Sequence, residues 1–162
     1  MSDALADGRR IRVLTVLDTC TRECVALEAG QGFRGTDVAS ILTRIGLERG
    51  LPEMITVDNG TEFTSRALDQ WAYRSTVQLD FSRPGKPTDN AHIESFNARV
   101  RRECLSQHWF VNLTDAQRTL QHWKNEYNHV RPHSALQDQV PAHFSGGGHF
   151  MPGRNRLGFS PS

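Results

Sequence analysis

Residues 56–63 read TVDNGTEF, a β-branched pair that ends on an acid and then turns through Asn-Gly. With the residues before it the run is EMITV, bounded upstream by Gly50 and Pro52, which predicts a short buried strand. Asp58 then stands where that strand stops, the place in an open α/β sheet where functional side chains are usually presented. The octapeptide has a second reading, since Asn-Gly after a strand is also the commonest hairpin turn signal. What lies on either side decides between a turn corner and a carboxylate set out to hold a metal.

Upstream, IRVLTVL (11–17) and RECVALEA (22–29) predict two strands joined as a hairpin. TDVASILTRIGLERG (36–50) places Val38, Ile41, Leu42 and Ile45 at helical spacing, with Thr36 as N-cap and Gly50 and Pro52 closing the helix. Downstream, Leu68, Trp71 and Ala72 mark one face of a helix that Ser65 caps, and VQLDFS (77–82) returns as a strand. Strands alternating with helices indicate an α/β domain. After the turn-rich loop RPGKPTDN (83–90), a helix from Asn90 to Leu105 would bury Ile93, Phe96, Val100 and Cys104. A last helix starts at Thr114 with Gln117 in capping-box position and packs through Ala116, Leu120, Trp123 and Tyr127.

At 162 residues and 37% hydrophobic the chain can bury one ordinary core. Residues 1–144 are expected to form the domain, and 145–162, SGGGHFMPGRNRLGFSPS, are too rich in Gly, Pro and Ser to bury much and are expected to be a flexible tail. No stretch approaches the roughly 18 apolar residues of a membrane span and the N-terminus lacks a signal-peptide core, so a cytoplasmic protein is expected. Three cysteines without a C-x-x-C pair argue against a disulfide framework or a zinc ribbon, and His129 and His133 have no Cys or Glu nearby to complete a zinc set. A net charge of +1 gives no reason to propose nucleic acid, but RVRRE (99–103), RPGK (83–86) and HVRPH (129–133) concentrate cations locally.

Glu94 changes the weight of Asp58. It lies seven residues before Arg101, and seven helical steps return nearly to the same line, a polar stripe shared with Asn90 and Asn97 beside the apolar one. A carboxylate there is held at the border of core and solvent, where it can meet a metal; an amphipathic helix with a surface Glu is the plainer reading.

Together TVDNGTEF, PGKPTDNAHIESFNARVRRE, YNHVRPHSAL and PAHF resemble the catalytic core of the insertion-sequence transposases of the IS-three group, over about residues 3–144. The resemblance implies a ribonuclease-H-like (integrase core) mixed sheet flanked by helices. Thirty-five residues separate Asp58 from Glu94, the spacing of the second and third members of that family's Asp-Asp-Glu triad, and Arg101 falls on its basic position. The implied activity is DNA transposition by metal-dependent cleavage and strand transfer, with DNA ends and target as substrates. Asp58 and Glu94 would hold Mg²⁺, or Mn²⁺ in its place, because a hard cation takes carboxylate oxygens. Arg101, Lys86 and Arg131 would contact phosphate, with a structural role for Lys86 and Arg131 left open, and His92 and Asn90 would flank the site.

The family's first Asp lies on a central strand within a Trp-x-x-Asp-Phe-like segment, which is expected just ahead of Met1, residues 3–10 being the end of that strand and its turn. On this reading the central strand is largely missing, two metal ions would need the missing Asp to be supplied, and the chain is expected to be unstable or aggregation-prone, and inactive. A homo-oligomer or a full-length transposase would be its protein partner. A hydrolytic nuclease of the same fold, and a non-catalytic remnant that binds DNA or inhibits a transposase, are the competing readings; Asp18 is expected to shape the DTCTRE turn and Glu62 to act locally.

Overall fold

The computed structural model describes residues 1–58, 60–81, 87–132, 136, 138–144 and 156–160. The nine-residue β2 (Arg10–Asp18) pairs antiparallel through Arg12–Leu17 with β3 (Cys24–Gly30), forming the expected hairpin with a bulge at Val16/Leu17. Asp18 shapes the turn: its Oδ1 accepts from Cys20 N at 2.8 Å and Thr21 N at 3.1 Å. β4 (Met54–Val57) and β5 (Gln78–Phe81) run parallel on the far side of the sheet.

What joins these halves comes from both ends of the chain. β1 (Ser2–Ala4) pairs antiparallel with residues 10–12 of β2, and β6 (Arg156–Ser160) pairs antiparallel with residues 15–18 of the same strand. Because β3 takes the other edge of β2, β1 and β6 lie end to end along one edge. Ser160 faces Thr15 and Ser2 faces Arg12, so the two pieces follow one another as a single strand interrupted beside Leu14. β6 also pairs in parallel with β4, Gly158 opposite Thr56. The position expected to be missing is therefore filled by the segment expected to be a flexible tail. The physical reason is local: in RLGFS, Leu157 and Phe159 alternate with small residues, a period-two pattern that a composition average over a Gly-rich stretch hides. Leu157 and Gly158 are buried.

Helices cover both faces. α1 (Gly35–Arg49) and α2 (Arg66–Ser75) pack over Leu14, Val16, Ile55, Val57 and Leu157. α3 (Pro87–Glu103) and α4 (Leu113–His129) pack over Ile11, Val13 and Leu17, with Phe96, Trp123 and Tyr127 meeting ring to ring at 5.1–5.7 Å. Alternate residues of β2 go to opposite layers, which the two-residue repeat of a strand requires. A 3₁₀ turn (Leu105–Gln107) and a one-turn helix, α5 (Pro141–Phe144), complete the elements.

Ser65 caps α2, accepting from Leu68 N at 3.3 Å, and the stripes expected on α3 and α4 are buried. Two caps differ from expectation. α1 starts two residues earlier than Thr36 as N-cap would allow: the N-cap is Arg34, whose N–H donates to Asp37 Oδ2 at 2.7 Å. α4 is capped by Asn112, which accepts from Asp115 N at 2.9 Å, so the side chain of Gln117 is free for another task. Gln117 Nε2 donates to Ala29 O, Gln121 Nε2 to Leu27 O and Lys124 Nζ to Val25 O, at 3.0, 2.8 and 2.8 Å. Asn128 closes the row, donating to Cys24 O and accepting from Cys24 N, each at 2.9 Å. One face of α4 thus satisfies the outer edge of β3, which would otherwise offer unpaired groups to another chain. None of the described helices is long and apolar enough to cross a membrane.

Candidate functional site

Asp58 directly follows β4. Ile55 and Val57 pack toward α1 and α2, so strand alternation gives Thr56 and Asp58 to the α3 face. The Asp58 carboxylate is half-buried, and its Oδ1 accepts from Gly60 N at 2.9 Å. A Cβ at Gly60 would lie 2.9 Å from that oxygen and 3.1 Å from Glu62 Oε2, so a bare residue here lets two carboxylates converge. Glu62 is 3% exposed at its side chain and is approached by Arg12 Nη1 at 3.4 Å. Desolvation holds the Asp58 carboxyl above its ordinary value of 3.8; the Glu62 charge adds to this, and the Gly60 N–H opposes it. The turn reading and the carboxylate reading of Asn-Gly meet in this geometry: the corner bends the chain so that two acids face one point.

Basic groups gather at the same place. The Met1 amine donates to Val13 O at 2.8 Å, and burial, then Arg101 and Arg12, push its pKa down to about 5 while Asp58 and Glu62 work the other way. Arg101 is exposed and its Nη2 donates to Ser2 O at 3.2 Å. Asp58, Glu62, Arg12 and Arg101 are therefore all felt at one buried amine.

Glu94 is exposed on α3, with no hydrogen bond or ion pair among the described residues. Its neighbour Ile93 lies over the central strand: a Cβ on Gly158 would be 3.6 Å from Ile93 Cβ. The acidic residue whose charge is felt at Asp58 is Glu62, with Glu94 set apart on the helix. Asn97, expected on the polar stripe, is buried and accepts from Thr15 Oγ1 at 2.9 Å, tying α3 to β2. Arg131 is engaged internally: it pairs with Glu103, approaches Glu126 at 4.0 Å and lies 5.8 Å over the Trp123 ring. Lys86, Asn59, His133 and the Asn90 side chain lie outside the described residues.

Sequence reading treated Glu62 as local and passed over Arg12. The signal for Arg12 was its place as a cation inside the strand IRVLTVL; Glu62 had only its nearness to Asp58, four residues away across a glycine turn. Asp58, Glu62 and Glu94 are hard oxygen donors suited to Mg²⁺ and unsuited to softer metals. Among the described residues no three His, Cys, Asp or Glu side chains converge closely enough to enclose a metal, so the acids present make a partial ligand set.

Models of the integrase core domain match residues 3–87 and 75–141. An uncharacterized 31.7 kDa protein of insertion element IS407 from Burkholderia multivorans is 48% identical over 143 residues, covering 88% of this chain and 52% of the relative. An uncharacterized 39.2 kDa protein of insertion element IS476 from Xanthomonas euvesicatoria is 41% identical over 159 residues, covering 98% and 46%. The chain thus spans about half the length of these curated relatives. Among solved structures, the HTLV-2 integrase catalytic core domain in complex with magnesium superposes with a TM-score of 0.70 over 89% of this chain and 90% of that one. At 12% identity this likeness concerns the fold, which is ribonuclease-H-like.

Proposed function

Because the chain belongs to the integrase core domain family, we propose that it is the core segment of an insertion-element transposase, acting on DNA with Mg²⁺ held at Asp58 and Glu94. The observation that carries the reading is the Asp58 carboxyl, desolvated and set beside Glu62, where both effects that raise its pKa are relieved by a bound cation. When bound, such a metal activates the attacking oxygen and stabilises the leaving oxygen of a phosphodiester. Arg12 holds Glu62 against the Asp58 turn, and exposed Arg101 contacts backbone phosphate one helical heptad beyond Glu94. Lys86, which precedes α3 in the sequence, is proposed as a further phosphate contact. Arg131 holds the end of α4 to α3, its charge already met by Glu103.

The central strand carries no acid between Arg156 and Ser160. Continuing the Thr56–Gly158 register by two residues sets position 160 level with Asp58. This favours a chain that takes up metal and DNA without joining strands, in the cytoplasm and in assembly with further copies or a longer transposase.

The test is thermal unfolding and duplex-oligonucleotide binding of the full chain with and without Mg²⁺, alongside Asp58→Ala, Glu94→Ala and Ser160→Asp. Mg²⁺ should stabilise the unaltered chain, less so both alanine variants, and Ser160→Asp more strongly. An unfolding curve indifferent to Mg²⁺ in every variant would refute the metal assignment. Joined DNA product from the unaltered chain would refute the inactive reading.

A further inference from the structure

Between α3, the end of β2 and α4 lies a cavity of about 190 Å³. Arg22, His92, Ser95 and Arg99 line it, over a floor that includes Leu17 and Phe96. Arg22 is placed there at a cost. Its backbone sits in the left-handed region at φ 62°, which side-chain-bearing residues avoid. The turn fixes it: Arg22 N donates to Asp18 O at 2.8 Å, and Asp18 in turn collects two more amides.

The guanidinium so placed is left short of a partner. Arg22 Nη1 is buried and has no hydrogen-bond partner among the described residues, a state rare among native polar groups. The charges around it do not supply one. Glu103 is shared by Arg99 at 3.8 Å, Arg102 at 3.4 Å and Arg131. Glu126 serves Arg131 at 4.0 Å and His122 at 3.8 Å. Four arginines, Arg22, Arg99, Arg102 and Arg131, therefore face two carboxylates at this corner, and Arg22 has neither. A strained backbone, a buried donor with no acceptor and a surplus of positive charge around a cavity have one chemical complement, an anion with several acceptor oxygens. Guanidinium planes suit phosphate, and Ser95 adds a hydroxyl.

We propose that this cavity is a phosphate-binding site, with Arg22 and Arg99 as its cationic walls, and that its occupant is a backbone phosphate of the DNA strand that passes along α3. Ser95 and His92 flank Glu94 in sequence, so a strand anchored here is held next to the carboxylates. The DNA source rests on the function proposed above; the anion site itself does not.

Inorganic phosphate and a duplex oligonucleotide are the two probes, used with the full chain, Arg22→Leu and Arg99→Gln. Phosphate should raise the unfolding temperature of the unaltered chain and have no effect on Arg22→Leu. In phosphate-free buffer Arg22→Leu should be at least as stable as the unaltered chain, because it removes a buried unmet donor. Arg99→Gln, at a side chain 41% exposed, should fold normally and weaken the phosphate response, which keeps the test decisive should Arg22→Leu fold poorly. In DNA titrations the slope of log K against log salt should shrink by about one in either variant. Absence of a phosphate effect on the unaltered chain, or an equal effect on all three proteins, overturns the site. A phosphate effect with an unchanged DNA slope overturns the DNA assignment, whatever the metal experiments give.

Discussion

Replacing Leu157 by alanine asks whether the C-terminal strand is part of the core or only laid against it. Leu157 is 0% exposed and packs in the layer with Leu14, Val16, Ile55 and Val57. Truncating a leucine so enclosed costs about 2–5 kcal/mol through lost burial and the void left behind, against a total stability of roughly 5–15 kcal/mol. For a chain of this size about 3 kcal/mol corresponds to a fall in melting temperature of roughly 6–12 °C. Urea unfolding of the full chain gives the cost, with Leu42→Ala, at 2% exposure in the same layer, as the comparison. The two should agree within a factor of two at unchanged denaturant slope. Hydrogen exchange locates the effect: amides of Thr15–Asp18 and Met54–Thr56 should open more readily, those of Arg10–Arg12 beside β1 much less. A Leu157→Ala cost below about 0.5 kcal/mol, the range of surface substitutions, with protection of β2 unchanged, would refute the split central strand.

Gly35→Ala should destabilise by about 2–4 kcal/mol in urea unfolding, because its Cβ would come 1.7 Å from Ser65 Oγ and so combine overpacking with loss of the α2 cap. Asn128→Ala leaves both polar groups of Cys24 without that partner at a buried edge, a cost of about 1–3 kcal/mol for each, and should raise aggregation measured by light scattering. The Met1 amine titrates at about 5 when folded and 8.0 in an ordinary terminus, so its contribution is fully present above pH 8 and is lost as pH falls through 5. Stability measured by denaturant should decline across that window, and N-terminal acetylation should flatten the decline. Asp58 has the opposite sign: its raised folded value means stability is lost as pH rises above it, so Asp58→Asn should be stabilising at neutral pH in metal-free buffer.

Elements whose pattern is strictly periodic were legible. The α3 stripe Ile93, Phe96, Val100 and Cys104, the α4 stripe and the Ser65 cap follow from local spacing alone. Less legible was anything settled by partners distant in sequence. Gln117 reads as a capping-box partner and Gln121, Lys124 and Asn128 draw no reading at all; only the strand edge beneath gives the four a purpose. Thr36 looked like the cap of α1, yet Asp37 three residues past Arg34 won through a direct bond to the backbone. At the site, Asp58 was read from the end of its strand, whereas its pairing with Glu62 depends on how closely the chain folds over Gly60. The strand RLGFS was lost in the average composition of its surroundings.

The split strand also sets an order of events in time. Among the described strands, the β1–β2–β3 unit meets the β4–β5 unit only through β6, which follows both units in the sequence. On a ribosome both units can form early, but the sheet cannot close until residues 156–160 have left the exit tunnel and crossed back between strands made more than a hundred residues before. Closing so long a loop adds only logarithmically to the entropic cost, yet pairings this remote in sequence are slow. Until then the facing edges of β2 and β4 stay open, and the nascent chain is at its most vulnerable to strand pairing with its neighbours on the same messenger.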